Sequence, residues 1–161
     1  MDLVNQKQDE AIHNIIKVYL AQMNSAMKIS KVIYEHSDNN ELTGDNIICG
    51  LIYRLMVPMT DEDMNESFTA ADDILDSMDG SDSDDEDDEE GEEESLEDNS
   101  LEYTKPDKKR SLKMNNCSCD ICTKCRECIA GYESYETYDP MVTRFKDSIK
   151  ETCDKHNIYI T

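Results

Sequence analysis

Tryptophan is absent from this chain of 161 residues, phenylalanine occurs twice, and aromatic residues make up only 6% of it. Large rings carry much of the burial in globular cores, so one extensive core, and with it a whole-chain enzyme domain, is not expected. Glycine occurs five times, and no glycine-rich turn opens a helix pattern, so a phosphate-cradling loop is excluded. No stretch approaches the ~20 apolar residues of a membrane span. The start, MDLVNQKQDEAIHN, lacks the basic-then-apolar order of a secretory leader. An intracellular setting is therefore expected, cytoplasmic or nuclear, with reduced thiols. No Ser/His/Asp group or acid/base pair stands out, and the protein is expected to be non-enzymatic.

The most informative absence is of positive charge. Residues 61–102 hold 22 acids and no base, whereas residues 1–60 carry 7 acids and 5 bases and residues 103–161 carry 9 acids and 11 bases. The whole formal charge of −22 thus sits in one segment between two nearly neutral ones. From Asp79 to Glu102 only two leucines interrupt the acids and small polar residues, and like charges at that density oppose compaction. The division that follows is a helical domain over 1–79, an acidic disordered linker over 80–104, and a basic, cysteine-rich, zinc-binding module over 105–161. The acidic tract suits basic protein partners, with binding that weakens as salt rises. Ser81, Ser83 and Ser95 each precede an acid by three residues, the pattern an acid-directed kinase reads.

The expected fold class is mainly α. Ile12, Ile15, Ile16, Tyr19, Leu20, Met23, Met27, Ile29, Val32 and Ile33 recur at helical spacing. Ile12, Tyr19, Ala26 and Ile33 are seven apart. The stripe is wider than a strict seam, so it reads first as the core face of a bundle helix; a coiled-coil homodimer through this helix is the alternative. A second helix follows Thr43-Gly44-Asp45 and stops at Val57, because Pro58 disfavours helical dihedrals before it. A third begins at Thr60, with acids in its first turn, and ends at Gly80. The three are expected to close as a three-helix bundle. His13 and His36 are placed on helix surfaces.

Five cysteines fall between Cys117 and Cys128, and C-x-x-C recurs there in overlap. Downstream, Cys153-Asp154-Lys155-His156 is C-x-x-H. The candidate metal ligands are Cys119, Cys122, Cys125, Cys128, Cys153 and His156. One cluster pair joined to Cys153 and His156 would make a Cys3His zinc tetrahedron; a local four-cysteine site is a further choice. An iron–sulfur centre is less favoured, since the fourth spacing is two residues rather than three and the trailing proline is missing. Asp139-Pro140 caps one helix leading to Cys153, and residues 157–160 read as extended. With few apolar side chains, the module needs the metal's binding energy to fold.

Lys105, Lys108, Lys109, Arg110 and Lys113 form a basic patch, readable as a localisation signal or an anion-contacting arm. Nucleic acid binding through 105–161, masked by the acidic tract, is therefore the alternative to a protein-interaction adaptor in a transcription, chromatin or assembly setting. Asn, Ile and Lys number 11, 14 and 12. That bias accompanies AT-rich genomes, and it adds a third reading, a component of a viral particle or other assembly, located in the host cell or virion.

Overall fold

The computed structural model describes residues 2–80 and 103–161. Five helices and two short strands follow in order: α1 Asp2–Glu35, α2 Gly44–Met56, α3 Asp61–Asp79, β1 Arg110–Ser111, α4 Asp120–Gly131, α5 Pro140–Lys155 and β2 Ile158–Tyr159. The expected tract phosphorylation sites Ser81, Ser83 and Ser95, and the expected disorder of the acidic linker, lie outside the described residues. Among the described residues, no helix is long and apolar enough to cross a membrane.

Local chemistry sets the helix ends. Thr43 caps α2 through a reciprocal box: its hydroxyl accepts from the Asn46 N–H at 3.2 Å, and Asn46 Oδ1 accepts from the Thr43 N–H at 2.9 Å. Val57, in extended conformation before Pro58, ends it. Thr60 and Asp63 repeat the box at α3. Asp139 Oδ1 accepts from the N–H groups of Met141 and Val142, with Pro140 opening α5. At the far end of α5, Asn157 takes a left-handed φ of 53°, a conformation asparagine tolerates better than most residues. The chain turns there and β2 runs parallel to β1, with Arg110 opposite Ile158 and Ser111 opposite Tyr159.

Helices α2 and α3 both pack on α1 but not on each other, so the three do not close as the expected three-helix bundle. The reason lies in α2. Eight of its 13 residues are buried, including Asp45, Ile48, Cys49, Gly50, Ile52, Arg54 and Leu55, and at about 100° per residue these positions cover all of the helix but the sector of the half-buried Ile47 and Leu51. A helix buried over so wide an arc needs neighbours on more than one side. One side meets α1; the other meets α4 and α5. Gly50 marks the α1 crossing, where a Cβ would overlap Ser30 Oγ and the Ala26 carbonyl. Arg54 is buried at the C-terminal end of α2, where the helix dipole favours a cation.

A single hydrophobic cluster therefore draws on both sides of the acidic tract. Ile29 and Ile33 of α1 and Ile48, Ile52 and Leu55 of α2 join Leu112, Cys122, Cys125, Cys128, Ile129, Tyr132, Ile149, Cys153, Ile158 and Ile160. The apolar shortage of residues 105–161 is met by α2. The region after the tract holds two helices rather than one, because α4 runs through the cysteine cluster itself. Cysteines three apart fall close to the helix period, so Cys122, Cys125 and Cys128 share one face and bury it. Tyr132, Tyr135 and Tyr138 fall three apart; Tyr132 is fully buried, its hydroxyl donating to the Lys146 carbonyl at 2.6 Å, Tyr135 is half-buried and Tyr138 is fully exposed.

Asp45 fastens the strand segment to α2. Its carboxylate receives Arg110 Nη1 at 2.7 Å and Nη2 at 2.8 Å, and the Lys113 N–H at 2.8 Å. Burial by itself would raise the carboxyl pKa, but the Arg110 guanidinium and the Lys113 N–H outweigh it and hold Asp45 below its ordinary value of 3.8. The stability this adds is present above the ordinary value and disappears as pH falls through the lower folded one.

Two predictions follow from this packing. Gly50→Ala should destabilise the fold by about 3 kcal/mol, the upper part of the overpacking range, read from the urea midpoint at unchanged m-value; a change below about 0.5 kcal/mol would mean α1 and α2 do not approach this closely. Asp45→Asn should cost about 2 kcal/mol at neutral pH, the scale of hydrogen bonds to a charged group. The difference between wild type and variant should shrink as pH drops below the carboxyl range, and a pH-independent difference would discount the ion pair.

Candidate metal centre

The end of α1 and the start of α4 bring four ligand-type atoms to one point. His36, Cys117, Cys119 and Cys122 have their ligand atoms all within 4.8 Å of one another. His36 Nδ1 lies 3.2 Å from Cys119 Sγ, 3.5 Å from Cys117 Sγ and 3.6 Å from Cys122 Sγ. Tetrahedral bonds of ~2.3 Å to sulfur and ~2.0 Å to nitrogen place N and S about 3.5 Å apart. The three distances match that spacing, and all seven cysteines of the chain are unpaired by disulfides. The set can hold one metal ion.

Local structure explains the convergence. His36 follows the last residue of α1, and its N–H still donates to the Val32 carbonyl at 3.2 Å, so the ring projects from a helical turn. Cys119 is the N-cap of α4, its sulfur accepting from the Cys122 N–H at 3.4 Å. Cys117 Sγ accepts in turn from the Cys119 N–H at 3.4 Å. Asn115 Nδ2 donates both to Cys122 Sγ at 3.4 Å and to the Ile33 carbonyl at 2.8 Å, joining the cysteine segment to the last turns of α1. Arg126 holds the loop from below, donating to the carbonyls of Asn115 at 2.9 Å and Cys117 at 2.7 Å. Such outer contacts orient ligands and stabilise sulfur in its ionised form.

The thiols differ. The backbone N–H of Cys122 draws Cys119 down to about 7, whereas burial pushes Cys122 up to about 11. Metal binding removes both protons, so affinity falls as pH falls. Solvent reaches the ligands along a groove of about 1010 Å³ that His36 and Cys117 line together with Asp45, Arg110 and His156.

Of the six ligands expected from sequence, Cys119 and Cys122 belong to this group. Cys125, Cys128 and Cys153 are core residues, each at most 4% exposed. Cys125 Sγ donates to the Cys49 carbonyl at 3.4 Å, and burial raises the pKa of Cys128 and lifts Cys153 to about 11. His156 caps the end of α5 and meets the Tyr103 ring edge-on at 4.6 Å. Cys153 turns inward one helical turn before it, so the C-x-x-H spacing does not bring the two onto one ion. Among the described residues, no second cluster of three or more ligand-type side chains occurs. Sequence reasoning missed Cys117 and His36. Cys117-x-Cys119-x-x-Cys122 held a local signal for the first; His36, 81 residues upstream of Cys117, had none. Of the basic patch, Arg110 is tied to Asp45, while Lys105, Lys108, Lys109 and Lys113 are exposed.

The two ligand sets separate experimentally. His36→Ala or Cys117→Ser should abolish one bound metal per chain by native mass spectrometry, while Cys128→Ser and His156→Ala should retain it. Metal lost from the second pair and kept in the first would restore the sequence-based pairing. No family model, no curated protein and no solved structure matches the chain.

Proposed function

We propose that the chain is a non-enzymatic adaptor: a zinc-stapled helical body that holds one protein partner while the acidic residues 61–102 engage a basic one. The setting we assign it is intracellular, in transcription, chromatin or assembly. The carrying observation is the ligand set. Three thiols and an imidazole fill every position of a tetrahedral ion and leave none for water or substrate, the pattern of structural rather than catalytic sites. Sulfur donors with imidazole favour zinc over hard cations. Several irons and their bridging sulfides would spread the ligands beyond the 4.8 Å that bounds these four. Bound zinc contributes folding free energy, on the order of 10–16 kcal/mol in small zinc peptides.

The acidic tract supports the second half of the proposal. Residues 61–102 hold 22 acids and no base, 14 of the acids beyond the end of α3 at Asp79, and a charge of that sign and density attracts basic surfaces. The nucleic-acid alternative is weakened by Arg110, whose guanidinium is engaged with Asp45.

Titration of the full chain with a histone, at several salt concentrations, tests this. Binding should weaken steeply with salt, and deletion of residues 81–98 should cost at least about tenfold in affinity, roughly 1.4 kcal/mol. Unchanged affinity for every basic protein tried would end the adaptor reading. If the deletion instead creates affinity for RNA or DNA, the masked nucleic-acid reading replaces it.

A further inference from the structure

Solvent reaches two of the seven cysteines: Cys117 and Cys119 are half-buried, whereas Cys49, Cys122, Cys125, Cys128 and Cys153 are buried. Both reachable thiols belong to the ligand group, and the groove of about 1010 Å³ opens on Cys117 and His36. A buried thiol stands directly behind them. Cys119 is the N-cap of α4 and Cys122 lies in its first turn, where the Cys122 N–H donates to Cys119 Sγ at 3.4 Å. The ligand atoms of the group all lie within 4.8 Å of one another, these two sulfurs included. Cα atoms three residues apart in a helix are separated by roughly 5 Å, inside the ~4.4–6.8 Å that a disulfide spans. A bond between the two sulfurs can therefore close by side-chain rotation with α4 in place. Cys117 is less free to join. Its N–H donates to Asn115 Oδ1 at 3.1 Å and its carbonyl accepts from Arg126 Nη2 at 2.7 Å, so its backbone is pinned outside the helical turn. The remaining four cysteines are core residues, each at most 4% exposed.

We propose that Cys119 and Cys122 form a peroxide-responsive switch that releases the metal and frees the end of α1, an inference that rests on the zinc reading above. The Cys119 thiolate attacks one oxygen of hydrogen peroxide. An S–O bond forms, the O–O bond breaks and hydroxide leaves, which makes the sulfur a sulfenic acid. The Cys122 thiolate then attacks that sulfur; the S–S bond forms, the S–O bond breaks and a second hydroxide leaves. Two electrons pass from the sulfur pair to the peroxide, and two protons from the buffer turn the hydroxides into water. The disulfide offers no thiolate, so only Cys117 and His36 still face the zinc, and two ligands are too few for a structural site. The ion leaves, and His36 no longer ties α1 to the cysteine segment. A thiol reductant with fresh zinc reverses the sequence.

The test treats the zinc-loaded full chain with hydrogen peroxide, follows zinc release with a chromogenic chelator, and alkylates the remaining thiols before mass mapping. One zinc per chain should be released together with the loss of two hydrogens. Cleavage before Asp120 should leave two fragments joined through Cys119 and Cys122, with Cys117 and the four core cysteines alkylated. The urea midpoint of the oxidised chain should fall to that of the His36→Ala variant, and reductant with zinc should restore it. Zinc retained under peroxide that oxidises free cysteine overturns the proposal. So does release with the bridge at Cys117 or in the core, or with sulfinic acid in place of a bridge. A chain that holds no zinc before peroxide is added removes the zinc reading and this inference with it.

Discussion

Helix α2 is buried round most of its circumference, and the rest of the fold follows from the need to cover it. A short helix with Ile48, Ile52 and Leu55 together with Cys49 and Gly50 leaves only the sector of Ile47 and Leu51 toward solvent. Helix α1 alone cannot enclose it, because two helices meet along one line and leave the opposite surface wet. The remaining cover comes from α4 and α5, which are too poor in apolar side chains to form a core without α2. Each side of the acidic tract thus supplies what the other lacks. The small aromatic content is compatible with this arrangement because five cysteines fill the volume that rings would otherwise occupy.

The metal-ligand group inherits its geometry from that packing. Once α4 lies against α2 and the end of α1, its first turn sits beside His36. The N–H groups that α4 leaves without helical partners are turned toward sulfur. The same exposed N–H groups that make a helix start attractive to anions lower the cost of holding thiolates together. Asn115 and Arg126 then fix the loop between the strand and the helix. The centre is a product of tertiary assembly and not of a local cysteine knuckle.

That distinction explains what the sequence made legible. Helix starts and stops rest on local rules, and Thr43, Pro58, Thr60, Asp139 and Pro140 stated them plainly. The mainly helical class and the presence of a cysteine–histidine cluster were equally readable. The cysteine run misled because its spacing serves two purposes at once: three-residue steps suit paired metal ligands and suit one face of a helix. Cys119 and Cys122 stand in the candidate ligand group, while Cys125 and Cys128 follow the second use. No spacing rule could single out His36 from His13 or His156, since its role depends on which helix end arrives beside α4. The bundle expectation failed for a related reason. Apolar periodicity shows that a helix has a face to bury, but not which neighbour buries it.

Because one core and one ligand set are shared across the tract, residues 2–80 and 103–161 are complementary halves of a single fold. One half carries His36 and the covering helix; the other carries Cys117, Cys119 and Cys122. Neither half alone can complete the tetrahedron. A chain cut between Gly80 and Tyr103 would divide both the core and the ligand group, and His36 would meet the three cysteines only when the two fragments associate.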